Sequence, residues 1–164
     1  MKQSQVLLLV VFLTISGVAQ TQDSMDAACP VTLGSNSLGP PFPESETWYG
    51  SESIAVMLPS DGKWSITAPG ARIAVKFPIW SLGYKVGMEE NLTIRVESLS
   101  DGSNDAVVQD ITNACGDTLL TNCTMLAGID FPTAGCWRLT LDYLGQSLSF
   151  VVATIEPVAD ETAT

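Results

Sequence analysis

Between Phe131 and Thr154 the chain reads FPTAGCWRLTLDYLGQSLSFVVAT, and its large apolar residues fall on alternate positions. Trp137, Leu139, Leu141 and Tyr143 alternate with Arg138, Thr140 and Asp142, the period-2 pattern of a strand with one buried and one wet face. Leu148, Phe150 and Val152 repeat the pattern against Ser147, Ser149 and Val151. A two-residue loop at Gly145-Gln146, with glycine first as a type II′ turn requires, sets Tyr143 opposite Leu148, Leu141 opposite Phe150 and Leu139 opposite Val152. That register gathers every large apolar side chain of both strands on one face, and a slip of one residue would destroy the match.

The alternation recurs upstream. Ile54, Val56 and Leu58 make a strand that Pro59 stops, and Ser60-Asp61-Gly62 turns the chain towards Trp64, which predicts a first hairpin. Ile73, Val75 and Phe77 share one face of the next strand, where Pro78 marks an edge position or a strand end. Residues 83–90 read as loop, and Leu92, Ile94 and Val96 then form a strand with Thr93, Arg95 and Glu97 outward. Residues 106–111 make a weaker strand, and Met125, Ala127, Ile129 and Phe131 lead into the hairpin. No helical period competes. Seven or eight short strands separated by Gly, Pro and Asp turns predict an all-β chain folded as an antiparallel β-sandwich over residues 48–156.

The ends of the chain break the pattern. Residues 6–19, VLLLVVFLTISGVA, follow Lys2 and end in small residues, so residues 1–19 read as a secretory signal peptide cleaved before Gln20. An apolar core of about 14 residues is short of the roughly 20 that a membrane-spanning helix needs, so retention as an anchor is the secondary reading and membrane insertion of the mature chain is not expected. Residues 20–47 carry Pro30, Gly34, Gly39, Pro40, Pro41 and Pro43 and read as an extended arm. Residues 157–164, VADETAT with its preceding proline, have little to bury and read as a disordered tail. Without the signal segment, 6 basic residues face 18 acidic ones, a net charge of −12. Such a chain is repelled by nucleic acid and by anionic membrane surfaces.

Export places four cysteines, Cys29, Cys115, Cys123 and Cys136, in an oxidising compartment, and their even number predicts two disulfides. Three pairings are possible. The favoured one staples Cys115 to Cys123 locally and ties the arm to the hairpin through Cys29 and Cys136. Loop-closure entropy assigns about 2.6 kcal/mol to the local bridge and about 4.8 kcal/mol to the long one. A zinc site would need histidine or a Cys-x-x-Cys spacing, and the chain has neither. Lipid modification of Cys29 is disfavoured by Asp26-Ala27-Ala28, a poor match to a lipoprotein box.

The segment AGCWRLTL resembles the start of the core strand in immunoglobulin-like domains, where a small residue, a variable one and an aromatic lead in. Trp137 stands where that family has its corner tyrosine, and Leu139 where antibody-type domains have a cysteine. The resemblance therefore implies an immunoglobulin-like sandwich without the usual inter-sheet disulfide, and Cys136 faces away from Trp137. More closely, CPVT at Cys29, WYG at Trp48, LPSDGKW up to Trp64 and GIDFPTAGCW…LSFVV are similar to a family of uncharacterised bacterial exported single-domain proteins. That likeness implies one secreted, periplasmic or cell-envelope β-domain and supplies no activity or site residue.

The chemistry on offer is sparse. Without histidine, hydrolytic triads and the commonest general base are missing, which leaves carboxylate pairs, serine–lysine pairs or cysteine chemistry. Glu89-Glu90 is the adjacent acidic pair, but neighbours on a strand face opposite ways and do not make a glycosidase pair. Asp101-x-Ser103-x-Asp105 resembles the start of a calcium loop, yet Ala106 and Thr112 stand where glycine and a bidentate glutamate are required. Trp48, Tyr49, Trp64, Trp80 and Tyr84 could stack on sugar rings, with Trp80 and Tyr84 the best pair because they flank the loop after an edge strand. The sequons at Asn91 and Asn122 would accept glycans only in a eukaryotic secretory pathway. The function that fits is a non-catalytic binding or structural module with no cofactor and no metal, its partner a protein or a glycan. A carbohydrate-binding module and a carboxylate-based enzyme are the alternatives.

Overall fold

The structure is a computed structural model, and it describes residues 29–36, 46–65, 73–115 and 123–156. The expected signal peptide and tail lie outside the described residues, as do 20–28 and 37–45 of the expected arm. In chain order the strands are β1 (Trp48–Gly50), β2 (Ile54–Met57), β3 (Lys63–Ser65), β4 (Ile73–Ser81), β5 (Thr93–Ser98), β6 (Val107–Val108), β7 (Thr112–Ala114), β8 (Thr124–Phe131), β9 (Gly135–Tyr143) and β10 (Gln146–Ile155). A 3-10 turn, Glu89–Asn91, precedes β5. One sheet runs β1-β2-β4-β8-β6 with β7 also on β8, and the other runs β3-β10-β9-β5. The fold is an all-β sandwich of two sheets.

Alternation dictates the core. Met125, Ala127, Ile129 and Phe131 on β8 are fully buried, and Phe77 and Ile79 on β4 and Ile54 and Val56 on β2 continue the same face. Trp137, Leu139, Leu141 and Tyr143 on β9, with Phe150 and Val152 on β10, supply the opposing face. Aromatic rings bridge the layers: Trp64 stacks on Phe77 with centroids 5.1 Å apart, and Phe131 lies 5.3 Å from Trp137. Each such pair adds about 0.5–1.5 kcal/mol beyond its area burial.

The β9–β10 hairpin forms with a different register from the one the pattern favours. Tyr143 pairs with Gln146, Leu141 with Leu148, Leu139 with Phe150 and Trp137 with Val152. The loop is Leu144-Gly145, and both residues have positive φ, 46° and 80°, the signature of a type I′ turn rather than type II′. The observed register sits two residues from the expected one, so each side chain keeps its face. Alternation cannot distinguish the two registers, because both keep every side chain on its face; the turn residues adopted do.

Four further expectations are corrected. Among the described residues ten strands form instead of about seven or eight, because residues 48–50 and 63–65 pair independently and residues 106–114 split into two short strands. The sandwich is not wholly antiparallel, since β3 runs parallel to β10. Nor do β2 and β3 form a hairpin: the turn closed by Gly62 N–H on Pro59 C=O at 3.0 Å carries the chain from one sheet to the other. The hairpin at this end of the chain is β1–β2, where Gly50 has φ 132° and a Cβ would lie 2.4 Å from Ile54 O. Pro78, expected at an edge or strand end, lies inside β4 opposite Leu126. The β2 ladder ends at Val56–Ile79, so the missing N–H removes no bond there.

The described part of the arm closes an edge. Thr32 N–H donates to Val151 O at 2.8 Å, and Thr32 Oγ1 accepts from Val151 N–H at 2.9 Å. This occupies the stretch of β10 that β3, paired only with residues 153–155, leaves open, which is how native sheets blunt an exposed edge. The sulfurs of Cys29 and Cys136 are at bonding distance, 2.05 Å, and anchor the arm on the outward side of β9. Cys115 and Cys123 are likewise bonded, across eight residues.

Candidate functional site

β4 ends at Ser81, and the chain then leaves the sheet through Leu82-Gly83-Tyr84-Lys85-Val86-Gly87 before the 3-10 turn. This loop meets the β1–β2 connection, where Leu82 N–H donates to Ser53 O and Ser81 Oγ donates to the same carbonyl at 3.0 Å. It also meets the β9–β10 turn, because Leu144 Cδ1 would lie 3.1 Å from a Cβ on Gly83. Three connections therefore gather at one end of the sandwich. Leu82 is 75% exposed there, Val86 55% and Leu144 49%. A cleft of about 300 Å³ opens beside them, lined by Trp80, Leu82, Tyr84, Lys85, Val86 and Cys123.

The expected stacking pair, Trp80 and Tyr84, does share this cleft but does not form an exposed platform. Trp80 retains only 6% of its surface. It pairs with Ala55 and, together with Trp48 and Met57, forms a second apolar cluster on the face of the sheet opposite the main core. The cause is again alternation: Ile79 points inward, so Trp80 must point outward, and there it is covered. Tyr84 is half-buried with its ring edge-on to Tyr143, centroids 6.4 Å apart. Neither ring offers the open face that a sugar would stack on.

Tyr84 is instead a structural post. Its hydroxyl donates to Glu89 Oε1 at 2.7 Å, and Asn113 Nδ2 on β7 donates to the same oxygen at 3.0 Å. The Tyr84 hydrogen bond, joined by backbone N–H donors and Asn113, lowers the Glu89 carboxyl to about 2. Burial, followed by the Glu89 bond and charge, raises the Tyr84 phenol above its ordinary range. The triad fixes the loop after β4 to the 3-10 turn and to β7. Glu89 and Glu90 do not converge on one point: Glu89 is engaged with Tyr84, and Glu90 is exposed.

The aspartate-rich loop is a turn. Asp101 Oδ1 accepts from Ser103 N–H at 2.9 Å and Gly102 has φ 72°, the geometry of an Asx turn at a β-connection. Among the described residues no three His, Cys, Asp or Glu side chains converge as a metal site would require. The outer face of the β5–β9 pair is closed by Arg95–Asp142 at 2.8 Å and Arg138–Glu97 at 3.2 Å. Asn91 is exposed at the end of the 3-10 turn, while Asn122 lies outside the described residues.

Sequence reasoning passed over Leu82, Lys85, Val86 and Leu144. The available signal was two large apolar residues in a glycine-bounded loop, SLGYKVG, where alternation gives them no strand to serve.

No family model matches the chain, and no curated protein matches it. A solved structure of surface layer protein SbsC, domains 6-7, is similar over 65% of this chain at 20% identity, with a TM-score of 0.35. This chain spans about half of that one, 47% of its length.

Proposed function

We propose that this chain is an exported, non-catalytic binding or structural module of the cell envelope or extracellular space, and that its working surface is the sandwich end built from residues 51–53, 82–87 and 144–145. The observation that carries the reading is the placement of Leu82, Val86 and Leu144, three large apolar side chains held in water on connections that pack against one another. Exposed apolar groups that cluster mark interaction sites more often than scattered ones do. Loops on a rigid sheet scaffold are where binding residues concentrate. Two cysteine pairs at bonding distance and an N-terminal signal-like segment support an oxidising, exported setting.

The test is a photo-cross-linking amino acid placed at Leu82 in the exported chain, with Arg95 on the salt-bridged outer face as control. A discrete adduct from position 82 and none from position 95 is expected. Equal labelling at both positions, or none at either, would refute the assignment of this end.

A further inference from the structure

We propose that the edge of β10 at Ser147 and Ser149 takes up, in antiparallel pairing, an extended segment of a partner protein that alternates polar and apolar residues. This deepens the preceding reading and rests on it, because one end of that segment comes to lie on Leu82 and Leu144.

The direction of main-chain groups defines the edge. β10 is bonded to β9 along one side, and every second residue turns its N–H and C=O to the other side. Val151 does so, since both of its groups meet Thr32, and Ala153 does so, since its N–H donates to Gly62 O at 3.0 Å. Ser149 and Ser147 are the next two in this series. Beyond Val151 the cover stops. The arm departs to β1, where Ser35 and Trp48 exchange both main-chain bonds at 2.7 and 2.8 Å, and β3 pairs only with residues 153–155. Among the described residues nothing pairs with the outward groups of Ser147 and Ser149, and both residues are exposed. Two donors and two acceptors therefore continue a ladder that the chain's own arm has begun, the arrangement that strand-adding ligands use.

Alternation then decides the occupant. Residues opposite Ser149 and Ser147 share their wet outer face and are polar. The residue between them shares the face of Leu148, which packs against the core and whose Cδ2 would lie 3.2 Å from a Cβ on Gly50. That residue is apolar. In antiparallel pairing the C-terminal end of the segment passes Gln146, which with Ser53, Ser81, Leu82, Gly83 and Leu144 lines a cleft of about 240 Å³. An apolar side chain there covers Leu82 and Leu144. Charge sets the flanks: with 18 acidic residues against 7 basic ones, the chain attracts a basic segment and repels both an acidic one and a second copy of itself.

β5, at the far side of the same sheet, is the weaker acceptor. The turn closed by Ser98 N–H on Ser103 O blocks one end of its outer side, and Arg95 and Glu97 place charges along it, which is how sheets keep an edge unpaired.

The probe is the peptide Lys-Thr-Val-Thr-Leu-Lys, acetylated and amidated, titrated into the full oxidised chain and followed by amide NMR and hydrogen exchange. The Ser147 and Ser149 amides should shift saturably and gain protection, while those of Ile94 and Val96 on β5 should not move. Methylating the two threonine nitrogens, the donors to the Ser149 and Ser147 carbonyls, should weaken binding about tenfold or more, the scale of two main-chain hydrogen bonds. Leu82→Ser should weaken it about fivefold through lost apolar contact. Leu82 stands mostly in water, so the variant should fold as the parent does. Unmoved Ser147 and Ser149 amides, or equal binding of the methylated peptide, overturn the proposal. So does a concentration-dependent shift of these amides without peptide, which would assign the edge to a second copy. If the peptide fails while position 82 still cross-links, the strand assignment falls and the working surface stands; failure of both removes the two together.

Discussion

Thr154 offers the sharpest test of how this sandwich is held together. It lies on β10, is 3% exposed, and its Oγ1 accepts from the Trp137 indole N–H at 3.1 Å and from Gly135 N–H at 3.0 Å, with Thr133 O within 3.2 Å as acceptor. Thr154→Val keeps the shape and the β-branch but deletes this oxygen. Trp137 is buried, so its N–H loses its partner with no access to water, which costs about 1–3 kcal/mol. Gly135 is half-buried, and its N–H adds up to about 1 kcal/mol. The expected loss is about 2–4 kcal/mol, a large share of a domain stability of about 5–15 kcal/mol. Thr154→Ser retains the oxygen and loses a methyl, at about 1 kcal/mol. Hydrophobicity alone would rank valine above threonine and serine below both; hydrogen-bond accounting ranks serine well above valine. Urea unfolding of the oxidised chain, followed by tryptophan fluorescence with unchanged slope, reads the order directly. A valine variant as stable as the parent, or more stable than the serine variant, would refute the reasoning.

Other outcomes follow from the same geometry. Replacing Cys29 and Cys136 together by serine opens a closure of 107 residues, and should lower stability by about 4–5 kcal/mol in thermal or urea unfolding; replacing Cys115 and Cys123 should cost about half as much. Glu89, held down to about 2 chiefly by Tyr84, favours the folded state above its unfolded value near 4.5, and that contribution is lost as pH falls through about 2. In Tyr84→Phe, the Glu89 carboxyl followed by carbon-detected NMR should therefore titrate closer to 4.5; an unmoved midpoint would show that the phenol is not the cause. Leu144 sits at φ 46° in a type I′ turn, half out of water. Leu144→Asn, the residue such turns prefer, should raise stability by about 0.5–1 kcal/mol in the same urea assay, and a loss would mean that the Leu144 contact on Gly83 outweighs the backbone cost.

The legible and the illegible parts of the candidate site differ in kind. Trp80 and Tyr84 were identifiable as neighbours of one loop because both lie within a few residues of the end of β4. Their exposure was not, since it depends on Ala55 and Trp48 from strands that pair only in the folded sheet. The Tyr84–Glu89–Asn113 triad spans three elements, and Asn113 contributes only because β7 lies on β8.

The sequence by itself determined which residues face inward. Side chains alternate along any strand, so the fates of Met125 through Phe131 and of Trp137 through Tyr143 follow from local pattern alone. Tertiary structure decided everything that this period leaves undetermined. Two registers of the β9–β10 hairpin, two residues apart, satisfy the same alternation, and the folded hairpin adopts the one that turns at Leu144-Gly145. β3 pairs in parallel with β10 rather than folding back on β2, because a strand's partner is set by contacts distant in sequence. Alternation likewise says that Trp80 points away from the core; only the assembled sheet shows that a second apolar cluster waits there, and that the exposed apolar surface lies one step further along, on Leu82.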